Sequence, residues 1–407
     1  MNSVFQYLFE YNRYLSIIGI AVIIGIAILF SKKRRDINYR LIFAALGLQF
    51  FIALFTLKLS FGQKLIGNIA DGVKLLYNLG EHGAAFVFGP ALSDPMGPWG
   101  FIFAIKLLPI IVFFGAFMAL LFHFGIVQKV VTVISWVIRP VLGTSGAETL
   151  CAISNSFLGQ TEAPLLIRNY LKNMTKSEIL VVMISGMATV SGSLLAAFAG
   201  WGIPAEHLLT TSVMSIPGSI LISKVLLPET EQAETAGGAQ ASIERTTSNM
   251  FDAIAVGTSD GLNLALNVGA MLVAFVALLK LVDIILGTVG LDTQIIFSFL
   301  FKPFAYLLGF TGSDANNVAT LLGTKVAVNE FLAFDQLRSM DISFRAKSIV
   351  TYALCGFSNF SCIGIQLGGI GALVPEKRKW LSELGLYAVM GGALTNLMSA
   401  MIANILL

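Results

Sequence analysis

The hydrophobic positions of this chain are gathered in long apolar runs, which are separated by short polar or charged segments. A helix needs about 20 apolar residues to cross the hydrocarbon core of a bilayer. Eight runs approach or exceed that length, so the pattern predicts eight transmembrane helices. They cover residues 15–30, 41–57, 101–124, 179–198, 208–227, 262–286, 349–367 and 384–407.

Four other segments connect these runs. Residues 58–97 are Gly-rich and mixed in polarity, which indicates a partly amphipathic connector on the outside. Residues 228–245 are rich in Ala, Gly and Glu, and we predict a flexible cytoplasmic linker there. Residues 127–138 and 295–308 are apolar but short, and we predict helices that lie at the membrane interface.

Two further segments are only moderately apolar, and each carries a glutamate among residues that otherwise suit lipid. Glu162 lies in residues 150–170 and Glu330 lies in residues 316–337. A straight crossing by residues 150–170 would put their basic end on the wrong side for the loops that follow. We therefore predict two re-entrant hairpins, because irregular backbone at membrane depth is tolerated where it lines a cavity.

The two hairpins occupy matching places in two related halves. Each is preceded by an interfacial helix and followed by an interrupted span and a final span. The first half starts from the inside and the second from the outside, which is the inverted repeat of many secondary transporters. We divide the chain into a scaffold with its connector (1–125), a first transport repeat (126–228), a linker with the sixth span (229–290) and a second transport repeat (291–407).

The span after each hairpin is interrupted by small and polar residues. Residues 186–194 read Gly-Met-Ala-Thr-Val-Ser-Gly-Ser-Leu, and residues 356–364 read Gly-Phe-Ser-Asn-Phe-Ser-Cys-Ile-Gly. Unwinding at these points would free backbone carbonyls for a cation and helix N-termini for polar groups of a substrate.

Composition and charge are those of a polytopic membrane protein. Of the 407 residues, 56% are hydrophobic and 12% are charged, whereas soluble domains carry about 25% charged residues. The net charge of +3 does not indicate nucleic acid binding. Basic residues 32–35 follow the first span, which predicts a cytoplasmic loop and an external N-terminus. The alternation of spans then predicts an external C-terminus.

The polar residues of the first hairpin suit the recognition of a heterocycle. Gln160, Thr161 and Glu162 provide an amide, a hydroxyl and a carboxylate, which can bind the edge of a base. The alternative is that they only cap the hairpin turn. Three adjacent polar residues at membrane depth exceed what a turn needs, so binding is favoured.

The second hairpin and its interrupted span suit the recognition of sugar hydroxyls. Glu330 can accept hydrogen bonds from vicinal hydroxyls, and the alternative is an ion pair with Lys325, five residues earlier. Asn359, Ser361 and Cys362 could join it, or they could be interhelical hydrogen-bonding residues, which are common in membranes.

Neutral oxygens near the first interruption suit a hard cation such as Na⁺. Asn155, Thr189 and Ser191 provide amide and hydroxyl oxygens. Packing between the hairpin and the helix explains them equally well on chemistry alone. The three cysteines are Cys151, Cys355 and Cys362, and their spacing predicts neither disulfides nor a zinc site.

Four motifs, taken in order along the chain, resemble the concentrative nucleoside transporter family. They are Gly-Gln-Thr-Glu-Ala-Pro (159–164), Asp-Gly-Leu-Asn-Leu-Ala-Leu-Asn-Val-Gly-Ala (260–270), Val-Asn-Glu-Phe-Leu-Ala-Phe (328–334) and Cys-Gly-Phe-Ser-Asn-Phe-Ser (355–361). The resemblance implies a homotrimer in a bacterial inner membrane. It also implies a scaffold of the first three spans and the sixth, which holds a mobile transport domain built from the two repeats.

The resemblance further implies roles for individual residues. Those expected on the base side are Gln160, Thr161, Glu162 and Leu194. Those expected on the ribose side are Glu330, Phe357, Asn359, Ser361 and Cys362. Those expected to bind Na⁺ are Asn155 and Thr189 through side chains, and Leu158 and Val190 through carbonyls.

Cys362 departs from the family pattern, which commonly has a serine there that helps the ribose site. A thiol is a weaker hydrogen-bond donor and acceptor than a hydroxyl. We therefore expect that Cys362→Ser keeps or improves uptake.

The function predicted from these features is nucleoside import by Na⁺ symport through alternating access, without an organic cofactor. The substrate is a uridine-like or a purine nucleoside. Proton coupling through Glu330 or Glu162 is the main alternative, because an intramembrane acid can relay protons. An intramembrane enzyme is disfavoured because no histidine is suitably spaced, and a channel is disfavoured because two unlike half-sites suit one occluded site.

Overall fold

The computed structural model describes residues 2–89, 102–106, 108–239 and 247–407, and every regular element in them is a helix. The α-helices are α1 (Asn2–Phe9), α2 (Arg13–Leu29), α3 (Tyr39–Leu57), α4 (Ser60–Phe88), α5 (Phe103–Lys106), α6 (Leu108–His123), α7 (Ile126–Leu142), α8 (Gly146–Ser154), α9 (Arg168–Leu171), α10 (Lys176–Ala188), α11 (Gly192–Gly200), α12 (Ala205–Leu226), α13 (Met250–Gly287), α14 (Thr293–Leu307), α15 (Gly312–Ala327), α16 (Glu330–Ser339), α17 (Phe344–Leu354), α18 (Ser361–Leu373) and α19 (Arg378–Leu406). Residues 90–97 of the predicted connector, residues 101 and 107 of the third predicted span and residues 240–245 of the predicted linker lie outside the described residues.

The predicted all-α membrane protein is confirmed. Within the described residues, 7 helical stretches are long and apolar enough to cross a bilayer, or up to 8 if a pair of helices bent by 114° counts as one span. The seven correspond to seven of the eight predicted spans. The remaining prediction, residues 349–367, falls on α17 and α18, which are separated by residues 355–360. The predicted interruption is therefore observed there, and a second one separates α10 from α11.

Three spans form the core of the molecule. The most apolar window is 94% buried in the stretch from α10 to α11, 89% buried in α12 and 83% buried in α19. Small residues allow these helices to approach closely. A Cβ atom on Gly391 of α19, for example, would lie 2.3 Å from the side chain of Ile184 in α10.

Two segments are more ordered than their sequence predicts. Residues 60–88 of the predicted connector form the single helix α4, which buries small side chains on one stripe. The first part of the predicted flexible linker packs against α8. Thr235 accepts hydrogen bonds from the amides of Gly146 at 2.9 Å and Ala147 at 3.1 Å, and these amides have no partner within their own helix.

Candidate functional site

The first hairpin is built from α8, a turn and α9, and its two ends meet. Ser145, which caps α8, donates a hydrogen bond to Glu178 at the start of α10. Both helices begin with a capping box, since Glu148 and Glu178 also accept hydrogen bonds from the amides of Ser145 and Thr175. The chain therefore leaves this end of the molecule, turns at residues 155–162 and returns to it.

The second hairpin is built from α15 and α16, which pack side by side. The hydroxyl of Thr324 donates a hydrogen bond to Gln336 at 3.2 Å. Thr324 lies six residues before Glu330 and Gln336 lies six residues after it. Asn329 caps α16 by accepting a hydrogen bond from the amide of Leu332 at 3.0 Å. The cap fixes the turn, so Glu330 begins α16 with only 2% of its surface exposed.

The two turns and the two interrupted spans enclose one cleft. It contains about 750 Å³ of empty space, part of it open to solvent. Every residue predicted on the base and ribose sides lines it, namely Gln160, Thr161, Glu162, Leu194, Glu330, Phe357, Asn359, Ser361 and Cys362.

Among the residues predicted on the ribose side, the polar groups form a network around Asn359. Its amide nitrogen donates to the carboxylate of Glu330 at 3.1 Å. Its oxygen accepts from the hydroxyl of Ser361 at 2.6 Å and from the amide of Cys362 at 3.1 Å. A carboxylate offers about four lone-pair positions, so Glu330 can bind Asn359 and still accept hydrogen bonds from a ligand.

Lys325 does not form the alternative ion pair with Glu330. The ammonium group of Lys325 donates to the carbonyl of Ala353 at 2.7 Å and to the side chain of Asn396 at 2.6 Å. The ion pairs found between described residues do not include Glu330.

Gln160, predicted on the base side, is held in a defined orientation. Its oxygen accepts from the amide of Gln366 at 3.0 Å, and its nitrogen donates to the sulfur of Cys362 at 3.3 Å. Gln366 also donates to the carbonyl of Met183 in α10 at 2.9 Å. Cys362, predicted on the ribose side, therefore contacts the base side as well and joins the two.

Glu162 is exposed rather than buried, because it opens onto two cavities. Its carboxylate accepts a hydrogen bond from the amide of Gly159 at 3.3 Å. It lines the cleft and also a neighbouring cavity, which reaches Asp260 and Thr247 on and before α13. The carboxylate is thus available to a ligand from either space.

Two of the residues predicted to bind Na⁺, Asn155 and Thr189, both contact Ser185. Asn155 donates to the hydroxyl of Ser185 at 2.9 Å, and Thr189 donates to the carbonyl of Ser185 at 2.8 Å. The side-chain oxygen of Asn155 is buried and has no hydrogen-bond partner among the described residues. A buried acceptor without a partner costs about 1–3 kcal/mol, which a bound cation would offset.

The other two predicted Na⁺ ligands lie in the same two segments. Leu158 and Val190 are both buried, at 3% and 1% exposure. The amide of Gly192 donates to the carbonyl of Phe157 at 3.1 Å, which ties the hairpin turn to the interruption of the span. Neutral oxygens in this arrangement fit a hard cation. The described residues contain no group of three or more His, Cys, Asp or Glu side chains that could hold a metal ion.

Several polar residues of this region were not predicted. Asn267 of α13 lines the cleft, Gln366 of α18 orients Gln160, and Asn396 of α19 contacts Lys325. Each is an amide inside an otherwise apolar helix. Gln366 and Asn396 are fully buried, so the cost of burying polar groups, which drew attention to the glutamates, could have identified them. Asn267 is exposed, and this argument does not apply to it.

Comparisons with known proteins agree on one family. Models described as the N-terminus and the C-terminus of Na⁺ dependent nucleoside transporters match residues 18–91 and 207–404, and a model described as nucleoside recognition matches residues 104–204.

Full-length relatives support the same assignment. The nucleoside permease NupC of Helicobacter pylori is 40% identical over 97% of this chain and 98% of its own length. Sodium/nucleoside cotransporter 1 of Mus musculus is 37% identical over 97% of this chain, which spans 64% of the mouse protein. A solved structure of CNTnw in an inward-facing, substrate-bound state has a TM-score of 0.91 and 38% identity, and the match covers 97% of both chains.

Proposed function

Because the chain belongs to the Na⁺-dependent nucleoside transporter family, we propose that it imports nucleosides by Na⁺ symport through alternating access. Membership of a transporter family excludes the enzymatic alternative. Import follows from the direction of the Na⁺ gradient across a bacterial inner membrane, which is where we propose the protein acts. The nucleoside and the ion would bind together in the half of the molecule that moves.

The nucleoside would lie in the cleft between the two hairpins. In this proposal, Glu330 and Asn359 bind the ribose hydroxyls, with Ser361 and Cys362 beside them. Gln160, Thr161 and Glu162 bind the edge of the base, with Leu194 near the base, and Phe357 helps to form the pocket on the ribose side. The contact between Gln160 and Cys362 supports this proposal, because it joins the two sides into one continuous polar surface.

The main support for Na⁺ as coupling ion is the side-chain oxygen of Asn155, which is buried and has no hydrogen-bond partner among the described residues. Na⁺ would bind this oxygen, the hydroxyl of Thr189 and the carbonyls of Leu158 and Val190. The ion would then hold the turn that presents Gln160 to the cleft. Ion and nucleoside would favour the same conformation, so that each raises the affinity for the other.

The repeats 126–228 and 291–407 would form the moving part, and the segments 1–125 and 229–290 would form the scaffold, with both termini outside. The high burial of α10, α12 and α19 supports a compact moving core. The peripheral position of α13 supports contact with lipid or with other copies in a homotrimer, since the most apolar window of this helix is 0% buried.

The test is uptake of radiolabelled uridine into proteoliposomes, with and without an inward Na⁺ gradient at fixed pH. We expect uptake that depends on Na⁺ and that is inhibited by at least one of the competitors adenosine and guanosine. We also expect that Asn155→Leu raises the half-saturating Na⁺ concentration. Uptake that follows a proton gradient and ignores Na⁺ would reject the Na⁺ proposal in favour of a protonated Glu330 or Glu162.

A further inference from the structure

Lys325 is a buried cation whose partners are neutral oxygens. It lies in α15, two residues before the end of that helix, and 2% of its surface is exposed. Its two hydrogen bonds go to the carbonyl of Ala353 and to the side chain of Asn396. The ion pairs found between described residues do not include it. Burying an ion costs several kcal/mol, so we expect this charged group to have a function.

One oxygen that binds this ammonium lies at the end of an interrupted span, and the other belongs to Asn396 of α19, whose side chain contacts the ends of both interrupted spans. Ala353 is the second-last residue of α17. The side-chain nitrogen of Asn396 donates to the carbonyl of Cys355, just after α17, at 2.9 Å, and to the carbonyl of Ala188, the last residue of α10, at 2.7 Å. The C-terminal end of a helix carries partial negative charge and favours a cation.

The first half of the molecule has the same arrangement without the charge. Asn155 follows the last residue of α8 and contacts Ser185 in the last turn of α10. In both halves, the end of the first arm of a hairpin therefore lies against the end of the interrupted span that follows it. The first half presents an oxygen without a partner at this point. The second half presents an ammonium group.

We propose that Lys325 is a built-in cation, a positioning residue that does in the second half what Na⁺ does in the first. This inference rests on the proposed function. The ammonium holds α15 against α17 at every Na⁺ concentration and so fixes the turn that carries Glu330. The first hairpin has no such charge and depends on the ion. Because only the first half needs a bound ion, one Na⁺ would be transported with each nucleoside.

The test replaces Lys325 by glutamine, which leaves a set of neutral oxygens suited to a hard cation. Uptake of uridine is measured over a NaCl series, with choline chloride added to keep the ionic strength constant. We expect the Hill coefficient for Na⁺ to rise from about 1 to about 2, because two ions must then bind. The half-saturating Na⁺ concentration should rise as well. Lys325→Arg keeps the charge and should keep the coefficient of the unmodified protein.

Lys224→Gln is the matched control. It also removes a buried lysine, but one that forms ion pairs with Glu148 at 2.7 Å and Glu229 at 3.1 Å at the far end of the first hairpin. This variant should lose stability while its Na⁺ dependence keeps the original Hill coefficient. The comparison separates the loss of any buried charge from the loss of this one.

A folded Lys325→Gln protein with unchanged Na⁺ dependence would overturn the proposal. So would one that loses uptake by the same factor at every Na⁺ concentration. If that variant is not recovered folded, the second measurement is thermal unfolding of Lys325→Ala with ethylammonium or high NaCl. We expect either cation to stabilise it by more than it stabilises the unmodified protein, and equal effects on the two proteins would also contradict the proposal. Failure of the unmodified protein to take up nucleosides would instead reject the proposed function. The inference about Lys325 could still be tested in that case, because the unfolding measurement does not require transport.

Discussion

Glu330 supplies the negative charge on the ribose side of the proposed site. In Glu330→Gln, a neutral amide replaces the carboxylate that now accepts from Asn359. Hydrogen bonds to charged groups contribute about 1.5–3 kcal/mol each, against about 0.5–1.5 for neutral ones. We therefore expect uridine affinity to fall by about 10- to 100-fold and uptake to approach background, with assembly intact. Binding and uptake assays measure both.

The control for this substitution is Glu206→Gln. Glu206 is 42% exposed and pairs with Lys74 at 3.6 Å, so its charge is screened and of little consequence. If uptake is normal in the control and also undiminished in Glu330→Gln, the proposal that Glu330 binds the ribose is wrong.

Cys362 contributes a soft and weak acceptor to a site made of oxygens and amides. Its sulfur accepts from Gln160 at 3.3 Å, and an oxygen at this position would be a stronger acceptor. We expect Cys362→Ser to keep uptake or to lower the half-saturating uridine concentration by about two- to fivefold, from a gain of about 0.5–1 kcal/mol. Concentration-dependent uptake measures this. A large loss of uptake in a folded Cys362→Ser protein would contradict the expectation.

The charged residues of the site were easier to predict than its neutral ones. A glutamate in an apolar segment is costly enough to stand out, so Glu162 and Glu330 were found from sequence. Gln366 costs less to bury, and its role depends on a partner 206 residues away, Gln160. The site of Lys325 was noticed, but its partners were not, because Ala353 contributes only a backbone carbonyl.

At the scale of helices, hydropathy predicts spans well and predicts packing poorly. Seven predicted spans are found as helical stretches long enough to cross a bilayer, because a long apolar run has few other stable conformations in lipid. The helix α4 was predicted only as a partly amphipathic connector, in a segment rich in glycines. In the structure they provide space instead: a Cβ on Gly80 would lie 2.9 Å from the side chain of Ile110. Such contacts are set by the partner helix, which the local sequence does not specify.

The crossing of α6 and α13 depends on glycines in the same way. A Cβ on Gly257 would lie 2.6 Å from the carbonyl oxygen of Gly115, and backbone atoms cannot move aside as a side chain can. We expect Gly257→Ala to destabilise the protein by about 1–3 kcal/mol through overpacking. The apparent melting temperature in detergent measures the effect.

Gly269→Ala is the control on the same helix, since its nearest new contact would be an ordinary 3.6 Å to Leu108. That variant should match the unmodified protein or exceed it slightly, because alanine favours a helix. Equal melting temperatures for Gly257→Ala and Gly269→Ala would show that the crossing is not as close as described.

For the molecule as a whole, the surface of α13 is the feature that a single chain leaves unexplained. Val273, Leu278 and Ile284 are 75%, 54% and 62% exposed, and an apolar surface of this kind is typical of contact with lipid or with another protein. A helix of 38 residues is about 57 Å long and exceeds the bilayer thickness, so lipid alone does not cover its full length. We therefore expect other copies to cover part of it in the proposed homotrimer. Light scattering coupled to size-exclusion chromatography, corrected for detergent, should give three times the chain mass of 43.7 kDa, and the mass of one chain would contradict this assembly.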